Sequence, residues 1–156
     1  MRHQQQGVAA VEFAVVGAVF FIVLFSVIEF GRALYIANLL VESTRRAARV
    51  AAVCPVGDTR AAQVAIMADG NGVSRLARDL NTGHVVVSYH DQNGATLANP
   101  GATFTSIQYV RVRIVGYQMR LMIPFIMPQL LMPQFAATLP RESLGYSPTQ
   151  QAFPAC

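Results

Sequence analysis

Between Val8 and Ile28 the chain runs twenty-one residues with a single charged side chain, Glu12. A helix needs about 20 mostly apolar residues to cross a bilayer, so this run is long enough to do so. The composition of the 156 residues is 53% hydrophobic and only 13% charged, apolar for a small soluble protein, and the excess sits in this one run. The rest, roughly 100 to 125 residues, suffices for one small domain.

A cleaved secretory signal fits the run poorly. Such signals have a basic start, an apolar core of about 7–15 residues and a small-residue cleavage site after it. Here the start holds only Arg2 and His3, the core is longer, and Glu29-Phe30-Gly31-Arg32 follows it. An anchor that stays in the membrane is the better expectation. The helix also continues past the membrane boundary. From Phe30 to Ala52 there is no proline and Gly31 is the only glycine, while Phe30, Leu34, Ala37, Val41, Thr44, Ala48 and Ala51 recur at spacings of three and four. That pattern makes one helix face. The spacing predicts one helix of about 45 residues from Val8 to Val53, about 65 Å long, ended by Cys54-Pro55.

All 12 basic residues are arginine, and the net charge is +4. They are dispersed, whereas a nucleic-acid surface needs a clustered basic face, so no nucleic-acid partner is expected. Arg45, Arg46 and Arg49 form a local group, read as a solvated helix face. Glu42 lies in the favourable order for helix ion pairs with Arg45 and Arg46. Glu29, at the outer end of the apolar run, is positioned to pair with Arg32. The two cysteines, Cys54 and Cys156, lack metal-ligand spacing. In an exported domain an even count points to a disulfide.

Gly7, Val8, Ala9, Ala10, Val11, Glu12 and Phe13, at the head of a long apolar helix, resemble the start of a type IV pilin. More narrowly, "VAAVEFAVV" and "IEFGRALYIANLLVESTRRAARVAA" resemble the TadE-like minor pilins and pseudopilins of the Flp/Tad branch. The resemblance covers residues 7 to 53, with a further likeness in "AATLPRES" near the end. The chain is too long for a major Flp pilin and too short for TadG-like proteins.

The resemblance implies a leader of Met1 to Gly7 removed by a prepilin peptidase. It also implies a transmembrane segment over 8–29 and a periplasmic head over 30–156 that includes the second half of the long helix. The cleavage residues would be Gly7 and Val8, and the assembly residues Glu12 and Phe13. A carboxylate inside a membrane helix costs about 2.5–3.5 kcal/mol on translocon-based scales. In pilins the glutamate at this place pairs with the new N-terminal amine of a neighbouring subunit, which avoids the larger penalty of an unpaired buried charge. The implied partners are the peptidase, other Tad pilins and pseudopilins, the inner-membrane Tad assembly platform and membrane lipid. The alternative is an unprocessed single-pass protein whose periplasmic domain binds another envelope protein.

The head reads as α+β. In "GDTRAAQVAIMADGNGVSRLARDL", Asp58 or Thr59 can cap a helix, and Ala62, Ile66, Val73, Leu76 and Leu80 can face a core. Asp69 to Gly72 reads as a turn, since it lacks the further ligands of a calcium loop. "HVVVSYH" (84–90) and "YVRVRIVGYQMRL" (109–121) alternate as strands, the second with Val110, Val112 and Ile114 on one face and Arg111, Arg113 and Val115 on the other. Asn93-Gly94 is a turn dipeptide. "QFAATLPRES" predicts a last strand ending near Pro140. Three or four antiparallel strands are expected against the second half of the long helix.

"MIPFIMPQLLMPQF" (122–135), interrupted by three prolines, reads as a loop with at most a turn of helix, either buried or exposed as a contact surface. His84 and His90 fall on one strand face as surface or half-buried residues. Ser143, His84 and Asp91 have no triad spacing. With no catalytic constellation, cofactor motif or metal spacing, neither an enzyme nor a cofactor is expected.

Overall fold

The computed structural model describes residues 4–68, 72–75, 77–122, 129–150, 152–154 and 156. Its dominant element is α1, Gln4–Val53, a single helix of 50 residues and about 75 Å at the usual rise. It begins four residues before the expected Val8. Gln4 to Gln6 are good helix formers, and the glycine at position 7 does not interrupt them. The short α2, Arg60–Ala65, follows. The strands are β1 (Val85–His90), β2 (Tyr109–Ile114), β3 (Gln118–Arg120), β4 (Gln129–Leu131) and β5 (Phe135–Pro140). Strands β1, β2 and β5 form an antiparallel sheet in the order β1-β2-β5, and β3 pairs with β4 as a separate two-stranded ribbon. The architecture is α+β, with the sheet against the second half of α1.

The two halves of α1 live in different surroundings. Leu24, the least exposed large apolar side chain between Val8 and Ile28, is still 40% exposed, so no protein covers this stretch. Beyond it, Ile36, Leu40, Ser43, Thr44, Ala47, Ala48, Ala51 and Ala52 are buried. This stripe differs in phase from the expected one at its start: Phe30 and Leu34 are 67% and 50% exposed. Lipid demands apolar residues all round a helix, so apolarity close to the membrane boundary carries no information about which side faces the head. The buried hydroxyls of Ser43 and Thr44 both donate to the Leu40 carbonyl, at 3.0 and 2.8 Å, which removes the cost of burying them. On the outer side, Arg46 Nε donates to Glu42 at 2.8 Å and holds that carboxyl below its ordinary range. Arg45, Arg46 and Arg49 are exposed.

The core has two parts along the helix. Farther from the apolar run, Ala47, Ala48 and Ala51 meet Ala61 and Ala65 of α2, together with Tyr89, Ile107, Val110, Val112 and Leu144. Small side chains on both helices let their backbones approach closely. Nearer the apolar run, Ile36 and Leu40 pack with Ile66, Leu80, Ile114, Tyr117, Met119 and Met132. The alternation in β2 is as expected, with Val110, Val112 and Ile114 turned inward.

Several expectations for the head are corrected. The helix after Pro55 is only six residues long: Asp58 Oδ1 accepts the Arg60 amide at 2.7 Å, Thr59 makes no side-chain cap, and Met67 turns the chain at φ 49°. Ala61, Ala65 and Ile66 carry its buried face, and Val73 is exposed. Leu76 and Asp69 to Asn71 lie outside the described residues. The strand expected over 109–121 is broken at Gly116, whose φ of +69° suits glycine, so β2 and β3 are separate. Gln129–Leu131, expected in a loop, is strand β4, while 123–128 lie outside the described residues. His84 is not on the strand. It closes a single 3-10 turn, where its Nδ1 accepts the Asn81 amide at 3.3 Å. His90, at the end of β1, is buried against Ser88 and the Gly94 carbonyl, each at 3.0 Å.

The far end of α1 is closed by the chain's last segment. A helix leaves its final carbonyls without intrahelical donors. Here Ala52 O accepts the amides of Glu142 and Leu144 at 3.1 and 3.2 Å, and Val53 O accepts the Gly145 amide and the Ser143 hydroxyl. Gly145 lies so close that a Cβ on it would fall 2.4 Å from the Pro55 ring. Cys54 and Cys156 stand beside this cap at disulfide distance, Cα–Cα 5.6 Å.

Candidate functional site

Two places on α1 stand out from its otherwise apolar or solvated surface. The first is its head. Gly7, Val8, Glu12 and Phe13 all sit on the helix, exposed, with nothing within 4 Å of a Cβ built on Gly7. Val8 and Glu12 are four residues apart, so they share a face one turn from each other, about 6 Å along the axis. No hydrogen bond or ion pair holds Glu12 among the described residues. Its carboxylate is therefore set in an apolar surface, without a partner among the described residues.

The second place is the boundary between the apolar run and the head. Twenty-one residues at the helical rise span about 31 Å, and the hydrocarbon core is about 30 Å thick, so Glu29 falls at the edge. It is 7% exposed. Its Oε2 accepts from Arg32 Nη2 at 3.0 Å and Nε at 3.3 Å, as the sequence leads one to expect. Its Oε1 accepts the backbone amide of Met122 at 2.7 Å. Arg32 also donates to the carbonyl of Arg120. These contacts tie the β3 end of the ribbon to the helix at the end of the apolar run. Nothing in the sequence announces this tie: its partners are 88 and 93 positions apart, and on the ribbon side they are backbone groups. Arg120 is in turn bonded to Asp79 at 2.8 Å.

The head of the helix and its boundary lie within one continuous stretch, residues 7–49, that matches the family of TadE-like proteins. This stretch is TadE-like. The TadE-like segment opens on Gly7, includes Glu12, Phe13, Glu29 and Arg32, and ends at Arg49, near the last turn of α1. No curated protein and no solved structure matches the chain. The TadE-like segment is also the part of the chain that is long and apolar enough to cross a membrane, and a single such helix is compatible with a single-pass membrane protein.

The paired cysteines complete the candidate positions. The Asp58 carboxylate lies within 4.8 Å of both sulfurs. Metal binding needs thiolates, and two sulfurs joined in a disulfide would supply none. Two tyrosine hydroxyls in the head are pushed above their ordinary pKa, Tyr89 and Tyr117, in both cases chiefly by burial. Tyr117 donates to the carbonyl of Arg78 at 3.0 Å and so helps to fix the segment beside the boundary.

Proposed function

We propose that this chain is a minor pilin or pseudopilin of a Tad-type pilus and secretion system. A prepilin peptidase cuts between Gly7 and Val8, Val8 to Glu29 hold the subunit in the inner membrane, and the head from residue 30 onward lies in the periplasm. The subunit then helps to initiate or cap the Flp pilus with other Tad pilins and the assembly platform. The observation that carries this reading is the placement of Glu12 on an exposed apolar helix surface, one turn beyond Val8 and on the same face.

Cleavage would give Val8 an α-amino group. A neighbouring subunit displaced along its helix could then set that amine against Glu12. A buried carboxylate stranded without a partner is much costlier than a paired one, so pairing would select one register between helices. Gly7 suits the peptidase because the absence of a side chain lets the backbone approach an active site. Phe13 presents a large apolar face to a neighbour's helix.

N-terminal sequencing of the protein from its native host tests this directly. A start at Val8 is expected, together with normal cleavage but impaired piliation in Glu12→Ala. An intact Met1 in cells with an active peptidase would instead favour an unprocessed anchor for an envelope-binding domain. Normal piliation in Glu12→Ala would remove Glu12 from the mechanism.

A further inference from the structure

A cleft of about 930 Å³ opens between α1, residues 73–75 with 78 and 79, and the chain around β3, next to the Glu29 boundary. Its wall carries four guanidinium groups, Arg32, Arg75, Arg78 and Arg120, against one carboxylate, Asp79. Asp79 is already bonded to Arg120, and Arg32 is bonded to Glu29. Arg75 and Arg78 are exposed, and neither pairs with a carboxylate among the described residues. The cleft therefore keeps a cationic surplus.

We propose that this cleft binds the phosphate headgroup of an anionic phospholipid in the leaflet beneath the head. The proposal rests on the reading of residues 8–29 as the membrane segment, whose apolar run ends at Ile28, and its depth follows from that end. Arg32 is four residues past Ile28, about 6 Å along the helix axis. The headgroup layer on each side of the hydrocarbon core is about 5–8 Å thick. The Arg32 edge of the cleft thus stands at phosphate depth.

A further feature fits a lipid rather than a soluble anion. Met122, on the cleft wall, is 72% exposed, and its amide is held by Glu29 next to the apolar run. A headgroup entering from the bilayer would set its phosphate among guanidiniums, whose forked donors match phosphate oxygens. Its upper acyl chain would lie against Met122 and the apolar helix.

The test uses the full chain in nanodiscs of phosphatidylcholine, with and without phosphatidylglycerol. Native mass spectrometry reads the lipid retained, and protease protection reads insertion separately. Wild type should retain phosphatidylglycerol in preference to phosphatidylcholine. In Arg75→Gln with Arg78→Gln that preference should fall about tenfold, as loss of a charge-assisted hydrogen bond requires, with insertion unchanged. Equal retention of both lipids by inserted wild-type protein would overturn the proposal and leave the membrane span standing. So would equal hydrogen-exchange protection of the cleft by inorganic phosphate in neutral detergent, since it would mark a site for the free anion. A chain that fails to insert would overturn the span, and the proposal with it.

Discussion

The carboxylate of Glu29 accepts the backbone amide of Met122 at 2.7 Å across 93 residues of sequence. One oxygen holds the ribbon and the other holds Arg32, so a single buried side chain fixes the head against the helix at the edge of the apolar run. Removing it in Glu29→Ala leaves the Met122 amide and the Arg32 guanidinium each short of a partner. We expect a loss of about 1.5–3 kcal/mol, the range for hydrogen bonds to charged groups, and faster hydrogen exchange at Met122. An unchanged melting temperature with unchanged exchange would show that the contact holds nothing.

Gly145 should tolerate no side chain. Its φ of +77° is a left-handed conformation, and an added Cβ would meet the Pro55 ring and backbone nitrogen. Gly145→Ala must shift either the turn or the helix end that it caps. Strain of this kind costs about 1–3 kcal/mol, and the clash adds to it. Thermal melts of the variant should show the loss, and a wild-type melting temperature would mean that the turn relaxes freely.

Cys54 and Cys156 should be joined in the exported protein. A non-reducing peptide map should recover them in one linked peptide, and recovery of both as alkylated thiols would count against the bond. The pair closes a separation of 102 residues, and chain entropy puts a loop of that size at about 4.7 kcal/mol as an upper value. Cys54→Ser with Cys156→Ser should lower stability by about 2–4 kcal/mol.

Alkaline pH should destabilise the head through Tyr89 and Tyr117. Both hydroxyls are held above the ordinary value of about 10, first by burial and then by the nearby negative charges of Asp58 and Asp79 respectively. Above that pH the unfolded chain releases these protons while the folded chain retains them. Stability is therefore full below about pH 10 and falls as pH rises through the folded-state values. The absence of lysine makes the experiment clean, because arginine keeps its charge throughout. Melting temperature followed into this range should fall less in Tyr89→Phe. An equal fall in that variant would assign the effect elsewhere.

What the sequence discloses depends on whether a feature is local. The long helix is visible because residues 8 to 53 contain no breaker, and β2 is visible because Val110, Val112 and Ile114 alternate with arginines. The phase of the buried stripe is hidden at Phe30 and Leu34, where lipid and head ask for the same residue types. The β3–β4 ribbon is hidden because three-residue strands set no period, and the prolines around Gln129–Leu131 suggest irregular chain. The helix cap at Glu142 to Gly145 and the Glu29 contact use backbone groups distant in sequence, which carry no residue signature. The lone Glu12 stands out from its apolar neighbours, but its proposed partner would lie on another subunit, beyond what one chain can display.

The cap that residues 142–145 place on α1, with Cys156 beside Cys54, also decides where a mechanical load would travel. Tension entering along the long helix and leaving at the tail would cross directly from one to the other through the capping hydrogen bonds and the sulfur link. The three-stranded sheet hangs to the side of that line and would feel little of it. A subunit wired in this way could be drawn out of a bilayer, or held in a filament under shear, with its sheet still folded, and its first point of failure would be the clasp at the end of the helix.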